Sequence, residues 1–395
     1  MSRLMSRALM AFGLGGWSDA VYWRAMEARV RVTALGDVRM KLSFVDDVYE
    51  PFVRTGGRIQ VREAAEDYPL LYKSEEPRPS VAETLEDEFV SAWEAEFGIS
   101  LQGCRHFLDR LEEIGLQRSE LVFYLPRSTL ITILAEVSEL SIEKAEAALD
   151  MFSLRPRPEW RVVGETFEER DWQPWRFRRR LSVLRRPLFQ IDELKDPNFL
   201  VAPGLADDAV YALVRWFHSG EIPQWQLRST EMRTWAGRRN HVHRTKFNAE
   251  VASRMRELGW LADAEVGITK LLERPLNRNF GDIDVLAWQS DSGRVLAIEC
   301  KDLQFRKTLG EVAGQLADFR GEVQPNGKPD LLRKHLDRID VLNANAATIG
   351  QKLKLSAPIQ LEGHLIFKNP VPMQFAWDHM ASKIQLSLFD QLDRL

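Results

Sequence analysis

Apolar positions fall into clear periods in the last third of the chain. Phe247, Val251, Met255 and Leu258 recur at helical spacing between Arg244 and Gly259, and Trp260 opens the next segment. Two apolar runs follow, Gly281–Trp288 and Arg294–Lys301, each of strand length. Ser290, Asp291, Ser292 and Gly293 lie between them and favour a hairpin turn. Thr308–Arg320 returns to helical spacing with Leu309, Val312, Ala313 and Leu316 inward, and Gly363–Phe367 and Lys383–Leu388 supply further strands. The predicted class is α/β.

The earlier part is less regular. Leu4, Ala8 and Phe12 follow helical spacing, so Met5–Trp17 reads as a packed helix rather than a leader, despite Arg3 and Arg7. Ala28–Leu35, Asp37–Phe44 and Gly57–Arg62 look strand-like, and Pro69–Ser80 reads as a linker. From Val81 to Leu154 the pattern is helical. Ser128–Val137 and Ser141–Phe152, the latter capped by Ser141, could form a helix-turn-helix or an ordinary helix pair. The expected organisation is an α+β region at 1–75, a mainly helical region at 76–155, a basic and aromatic connector at 156–225 and a C-terminal domain at 226–395.

Charge inside the two hairpin runs changes the picture. Unpaired buried carboxylates are costly, so Asp282, Asp284 and Glu299 need a cation or a metal nearby. A turn symmetric about Asp291 and Ser292 sets Asp284 opposite Glu299 and Asp282 opposite Lys301, and strand alternation puts all four on one face. Two converging carboxylates and a lysine suit a hard divalent cation and an activated water. A solvated strand face, or a cross-strand ion pair, would use the same residues. Asp282 is better placed to pair with Lys301 than to bind metal, and Cys300 points to the opposite face, into the core.

Asp284 followed by Glu299-Cys300-Lys301 resembles the PD-(D/E)xK nuclease superfamily, also called restriction endonuclease-like, over about Thr245–Phe319. The family's proline is absent, since Ile283 precedes Asp284. The resemblance implies a restriction endonuclease-like mixed sheet flanked by helices, preceded by a mainly helical region and a small α+β region. It implies Mg²⁺ or Mn²⁺ held by Asp284, Glu299 and the Cys300 carbonyl, with Glu250 as a further ligand. Lys301 would position or deprotonate the attacking water, and Gln315 would lie near the catalytic face. Such a site would hydrolyse nucleic-acid phosphodiesters, DNA in preference to RNA, in prokaryotic defence against phage or foreign DNA. Repair or branched-DNA cleavage on the same fold, and a non-catalytic DNA-binding or scaffold subunit, remain alternatives.

Composition bounds the rest. Hydrophobic residues at 45% and charged residues at 28% describe an ordinary folded protein. Only Cys104 and Cys300 are present, so neither a disulfide framework nor a zinc centre is expected, and the cytoplasm is the default location. No apolar run suits a membrane span. A net charge of −4 confines any nucleic-acid contact to local patches. One patch gathers Arg176, Arg178, Arg179, Arg180, Arg185 and Arg186 around Trp172, Trp175 and Phe177. The other, Arg228, Arg233, Arg238, Arg239, Arg244 and Lys246 with Trp225 and Trp235, leads into the first helix of the C-terminal domain and is the stronger DNA-contact candidate. There is no glycine-rich nucleotide loop, so motor action would have to come from a partner protein in a defence system. A homo-oligomer is compatible with the sequence.

Overall fold

The computed structural model describes residues 2–57, 85–159, 161–164, 166–176, 179–324, 326–377 and 383–395. The expected linker Pro69–Ser80 lies outside them, as does the strand expected at Gly57–Arg62 except for Gly57, which is helical. The chain divides between Tyr72 and Lys73 and again between His241 and Val242: the first and last stretches form one compact unit and the middle stretch a second.

A separate N-terminal region, expected at 1–75, is therefore corrected. After the helix Ser2–Tyr22, strands β1 (Val30–Val32) and β2 (Val38–Met40) make only a short antiparallel ribbon, too small to bury a core of its own. Ala20, Met26, Phe44, Val48 and Phe52 instead enter the same core as Leu286 and Leu365. The contact with the helix Leu309–Ala317 is close, since a Cβ on Gly310 would meet Asp19 Cβ at 2.5 Å.

The middle unit continues through both boundaries expected inside it. Phe97, Phe152, Leu188 and Trp235 share one core, so 76–155 and 156–225 are not separate bodies. Helices Asp87–Phe97, Leu101–Arg118, Arg127–Ser138, Ile142–Met151 and Pro203–His218 surround strands β3 (Phe123–Pro126), β4 (Ser153–Leu154), β5 (Leu188–Gln190) and β6 (Asn198–Val201), ordered β3-β6-β5-β4. Ser100 and Ser141 cap their helices by accepting from Gly103 N at 3.0 Å and Lys144 N at 3.4 Å. The helix that begins at Thr230 runs unbroken to Glu257, so it starts well before the predicted Arg244 and takes in most of the basic stretch.

The C-terminal sheet contains β7 (Leu261–Gly267), β8 (Asp282–Trp288), β9 (Arg294–Lys301), β10 (Gln360–Phe367) and β11 (Ile384–Leu388), ordered β11-β10-β9-β8-β7. β7, β8 and β9 are antiparallel neighbours, whereas β9, β10 and β11 run parallel. Pairs Val285↔Ile298 to Trp288↔Val295 obey the predicted symmetry about Asp291 and Ser292. Both faces are covered, which explains the nearly continuous apolar strands. Leu286, Val295 and Ala297 pack with Ile339 and Leu342, while Val285, Leu296, Ile298 and Cys300 pack with Phe247, Val251 and Met255. No helix among the described residues is long and apolar enough to cross a membrane.

The hairpin turn closes on Gly293, which has φ +71°, and a Cβ there would lie 2.3 Å from the Pro358 carbonyl oxygen. Gly293→Ala adds left-handed strain to a backbone collision and should cost about 2 kcal/mol or more. By contrast, Gly13 has nothing within 4 Å of its would-be Cβ inside the helix Ser2–Tyr22. Gly13→Ala should be neutral or stabilising by up to about 1 kcal/mol. Denaturant unfolding of the two variants beside the parent checks the contrast.

Candidate active site

The site forms where two strands separate. The β8–β9 ladder ends at Val285↔Ile298. The next rung's Cys300 N–H donates instead to Asp284 Oδ2, at 2.9 Å. Because N–H and C=O of one strand residue share an edge, the Cys300 carbonyl faces the same gap. Glu299 and Lys301 sit on the opposite face from Cys300, as their alternation requires. Lys301 Nζ lies 2.5 Å from Glu299 Oε1 and 3.9 Å from Asp284 Oδ2, so the expected trio converges.

Glu299 is buried, and three side chains beyond the trio complete its surroundings. Arg338, from the helix Leu331–Asn343, forms an ion pair with Glu299 Oε2 and donates through Nε to the Phe280 carbonyl at 2.9 Å. His335, one turn earlier, brings Nδ1 to 4.0 Å from Glu299 Oε2. Asn248 is fully buried and places Nδ2 3.5 Å from Asp284 Oδ1 and 3.4 Å from Glu265 Oε1. Glu265 also accepts from Thr245 Oγ1 at 3.2 Å. Its φ of +54° is left-handed, an uncommon conformation for this residue type and one associated with functional sites.

These contacts split the two carboxylates electrostatically. Burial raises the pKa of Asp284, the Glu299 charge raises it further, and Lys301 only partly opposes them, so it stands above the usual aspartate value. Burial also acts upward on Glu299, but Lys301 and Arg338 outweigh it and hold Glu299 below the usual glutamate value. Burial drives His335 down to about 4 against the pull of Glu299, leaving a neutral imidazole at pH 7.

The other expected residues divide. Gln315 is buried, donates through Nε2 to the Gln304 carbonyl at 3.5 Å, and leaves Oε1 without a partner among the described residues. Cys300 is core, as expected. Asp282 is exposed at the start of β8 opposite Gly267, rather than paired with Lys301 in any contact seen here. Glu250 is not brought to Asp284. It lies two residues beyond Asn248, about 200° around the helix, and the acidic group on the Asn248 side is Glu265. The basic stretch also divides. Arg233 donates to the Leu227 carbonyl at 3.1 and 2.7 Å, Arg238 pairs with Glu88, and Arg239 lies 3.5 Å from Glu86. Those three arginines are engaged within the middle unit. Arg244 and Lys246 are exposed, and Arg244 shares a helix face with Asn248 four residues on.

Comparison with known families decides what kind of protein this is. A family model described as anti-phage protein Upx-like matches residues 1–392. The chain belongs to the Upx-like anti-phage family. No curated protein and no solved structure matches it. The Upx-like match spans the sequence of both compact units and supports a role in defence against phage.

Asp284 offers a direct test of the crowding in this Upx-like protein. With the folded pKa above the unfolded value, its contribution to stability is full below the ordinary aspartate pKa and is lost as pH rises through the folded value. Asp284→Asn keeps an oxygen to accept from Cys300 N and removes the charge. It should therefore melt above the parent near neutral pH, and the advantage should shrink toward pH of about 4. Thermal melting across that pH range checks the sign.

Proposed function

We propose that the cleft between β8 and β9 hydrolyses phosphodiester bonds in nucleic acid, DNA in preference to RNA, as the chemical arm of the family's defence against phage. The observation carrying this reading is the placement of Lys301 Nζ between the carboxylates of Glu299 and Asp284 at 2.5 and 3.9 Å. The DNA preference rests on the likeness of Asp284 and Glu299-Cys300-Lys301 to PD-(D/E)xK nucleases.

The donor set suits a hard cation. Asp284, Glu299 and the Cys300 carbonyl would hold Mg²⁺ or Mn²⁺, which accept one or two carboxylates and retain several waters. Among the described residues no group of three His, Cys, Asp or Glu side chains is placed to hold a metal ion, so the Cys300 carbonyl and waters would have to complete the coordination. Such an ion supplies charge for the phosphoryl oxygens and acidity to a bound water. The protein's own groups supply the rest. Lys301 places a positive charge beside the carboxylates, where the attacking water and the developing phosphorane charge would lie. Arg338 fixes the Glu299 carboxylate from behind, and Asn248 and the Cys300 N–H fix Asp284. Arg244 is the exposed cation best placed by helix spacing to meet the phosphate backbone.

A second reading has its own observation. Glu299 already has two cationic partners, Lys301 and Arg338, which is how a purely structural buried ion cluster would look. Such a cluster would suit a non-catalytic nucleic-acid-binding subunit.

Cleavage assays on linear, branched and single-stranded DNA and on RNA, with and without Mg²⁺, separate the readings. Lys301→Ala should lower single-turnover cleavage by a factor on the order of 100 to 10,000 while keeping most nucleic-acid binding. Arg244→Ala should instead weaken binding and flatten its salt dependence. Parent protein that binds but cleaves nothing with Mg²⁺ or Mn²⁺ would leave the structural cluster as the correct account.

A further inference from the structure

The unit between Lys73 and His241 contains a cavity of about 760 Å³. Small-molecule sites commonly occupy about 300–1,000 Å³. Phe97, Phe167 and Phe217 form part of its wall. Among the described residues its charged lining consists of Arg155, Arg157, Arg180, Arg185, Arg186 and Arg228 against Glu96 and Asp150.

Both carboxylates are already committed. Glu96 is buried and accepts from the backbone N–H groups of Arg228, at 3.0 and 2.9 Å, and Ser229, at 2.8 Å. Asp150 pairs with Arg127 at 2.7 Å and also with Arg155. The cavity therefore keeps a surplus of positive charge.

Two of its arginines are held in place by acceptors on the protein, Arg186 by backbone carbonyls and Arg180 by an ion pair. Arg186 donates to the carbonyls of Asp150 at 2.7 Å and Ser153 at 3.0 Å. Burial, with the nearby Arg180 charge next in weight, pulls its pKa down to about 10, and Asp150 only partly opposes them. Arg180 pairs with the buried Asp171 at 2.5 Å and donates to the Thr166 carbonyl at 2.8 Å. Its Nε is shut off from solvent and has no hydrogen-bond partner among the described residues. Both guanidiniums lie over the Phe167 ring, 5.0 and 5.3 Å from its centre. Fixed planar forks match phosphate oxygens, and an aromatic wall matches a base.

We propose that this cavity binds a phosphorylated nucleotide, with its phosphates on the arginines and its base against the phenylalanines. Arginine forks would replace the backbone N–H cradle of a glycine-rich phosphate loop, which the sequence lacks. The ligand could be a free nucleotide or the phosphorylated end of a nucleic-acid strand, and the recognition chemistry is the same. This site shares no residue with the β8–β9 cleft.

Equilibrium binding of a fluorescent ATP analogue to the full chain tests the proposal. The competitors are ATP, a 5′-phosphorylated dinucleotide, inorganic triphosphate and adenosine. Saturable binding displaced by ATP or by the dinucleotide, with adenosine ineffective, is the expected result. Displacement by ATP alone identifies a free nucleotide, and displacement by the dinucleotide alone identifies a strand end. Inorganic triphosphate competing as well as ATP would overturn the base-binding assignment. Arg157 and Arg228 are exposed at the lining, so the double variant Arg157→Gln/Arg228→Gln should fold normally, as its melting temperature verifies. It should weaken binding about tenfold or more. Absence of saturable binding, or parental affinity in the folded double variant, would overturn the proposal. Lys301→Ala should bind the analogue normally, so a failure here and a failure of hydrolysis are separately visible.

Discussion

Burial of the Glu299 carboxylate is the constraint around which the C-terminal unit is organised. The residue sits in β9 between Ile298 and Cys300, both buried, and has little access to water. A charge there persists only with cations and hydrogen bonds to replace the lost solvent, and removing one partner of such a pair typically costs about 3–5 kcal/mol. Lys301 reaches it because residues two apart in a strand share a face. Arg338 reaches it because the helix Leu331–Asn343 packs Ile339 and Leu342 on that same face. Burial acts on its neighbours as well: it raises Asp284, with the Glu299 charge adding to the effect, and it lowers His335 against the pull of that same charge. Burial, more than any single charge, thus sets the protonation of the cluster.

Much of this was legible in the sequence, because the governing rules are local. Turn residues between two apolar runs fixed the register of β8 and β9, and parity then placed Asp284, Glu299 and Lys301 on one face and Cys300 on the other. Residues supplied by distant segments carried no comparable signal. Arg338 and His335 lie on a helix more than thirty positions downstream, where they look like ordinary polar positions of an amphipathic pattern. Glu250 illustrates the opposite error. An acidic residue on the right helix was expected at the site, but helical phase decides the matter, and Asn248 has the correct phase. Glu265 could have been suspected only from its place opposite Asp284 across β7 and β8, since its left-handed backbone leaves no mark on composition.

Domain organisation was harder to read for the same physical reason. Ala20, Phe44 and Phe52 look like the start of a small independent core, yet their burial is completed by residues from the far end of the chain. Conversely, the arginines after Trp172 resembled part of a basic and aromatic connector. In the folded middle unit several are fixed by backbone carbonyls and a buried aspartate. Periodicity reports which face of a segment is buried, but not which partner buries it.

Buried polar atoms without hydrogen-bond partners border the β8–β9 cleft, as they do other parts of the described structure. Buried polar groups in folded proteins are nearly always paired, and each exception costs free energy that something else must offset. Among the described residues, Asn248 Oδ1, Gln315 Oε1 and both ring nitrogens of His335 are buried without a partner. Asn248 and His335 border the same two carboxylates, and Glu265 beside them holds a strained backbone conformation. An ion pair selected only to stabilise the fold would gain from replacing these residues with apolar ones of similar volume. Their presence beside the broken β8–β9 ladder is in keeping with the hydrolytic reading proposed above, in which a ligand would complete these polar groups.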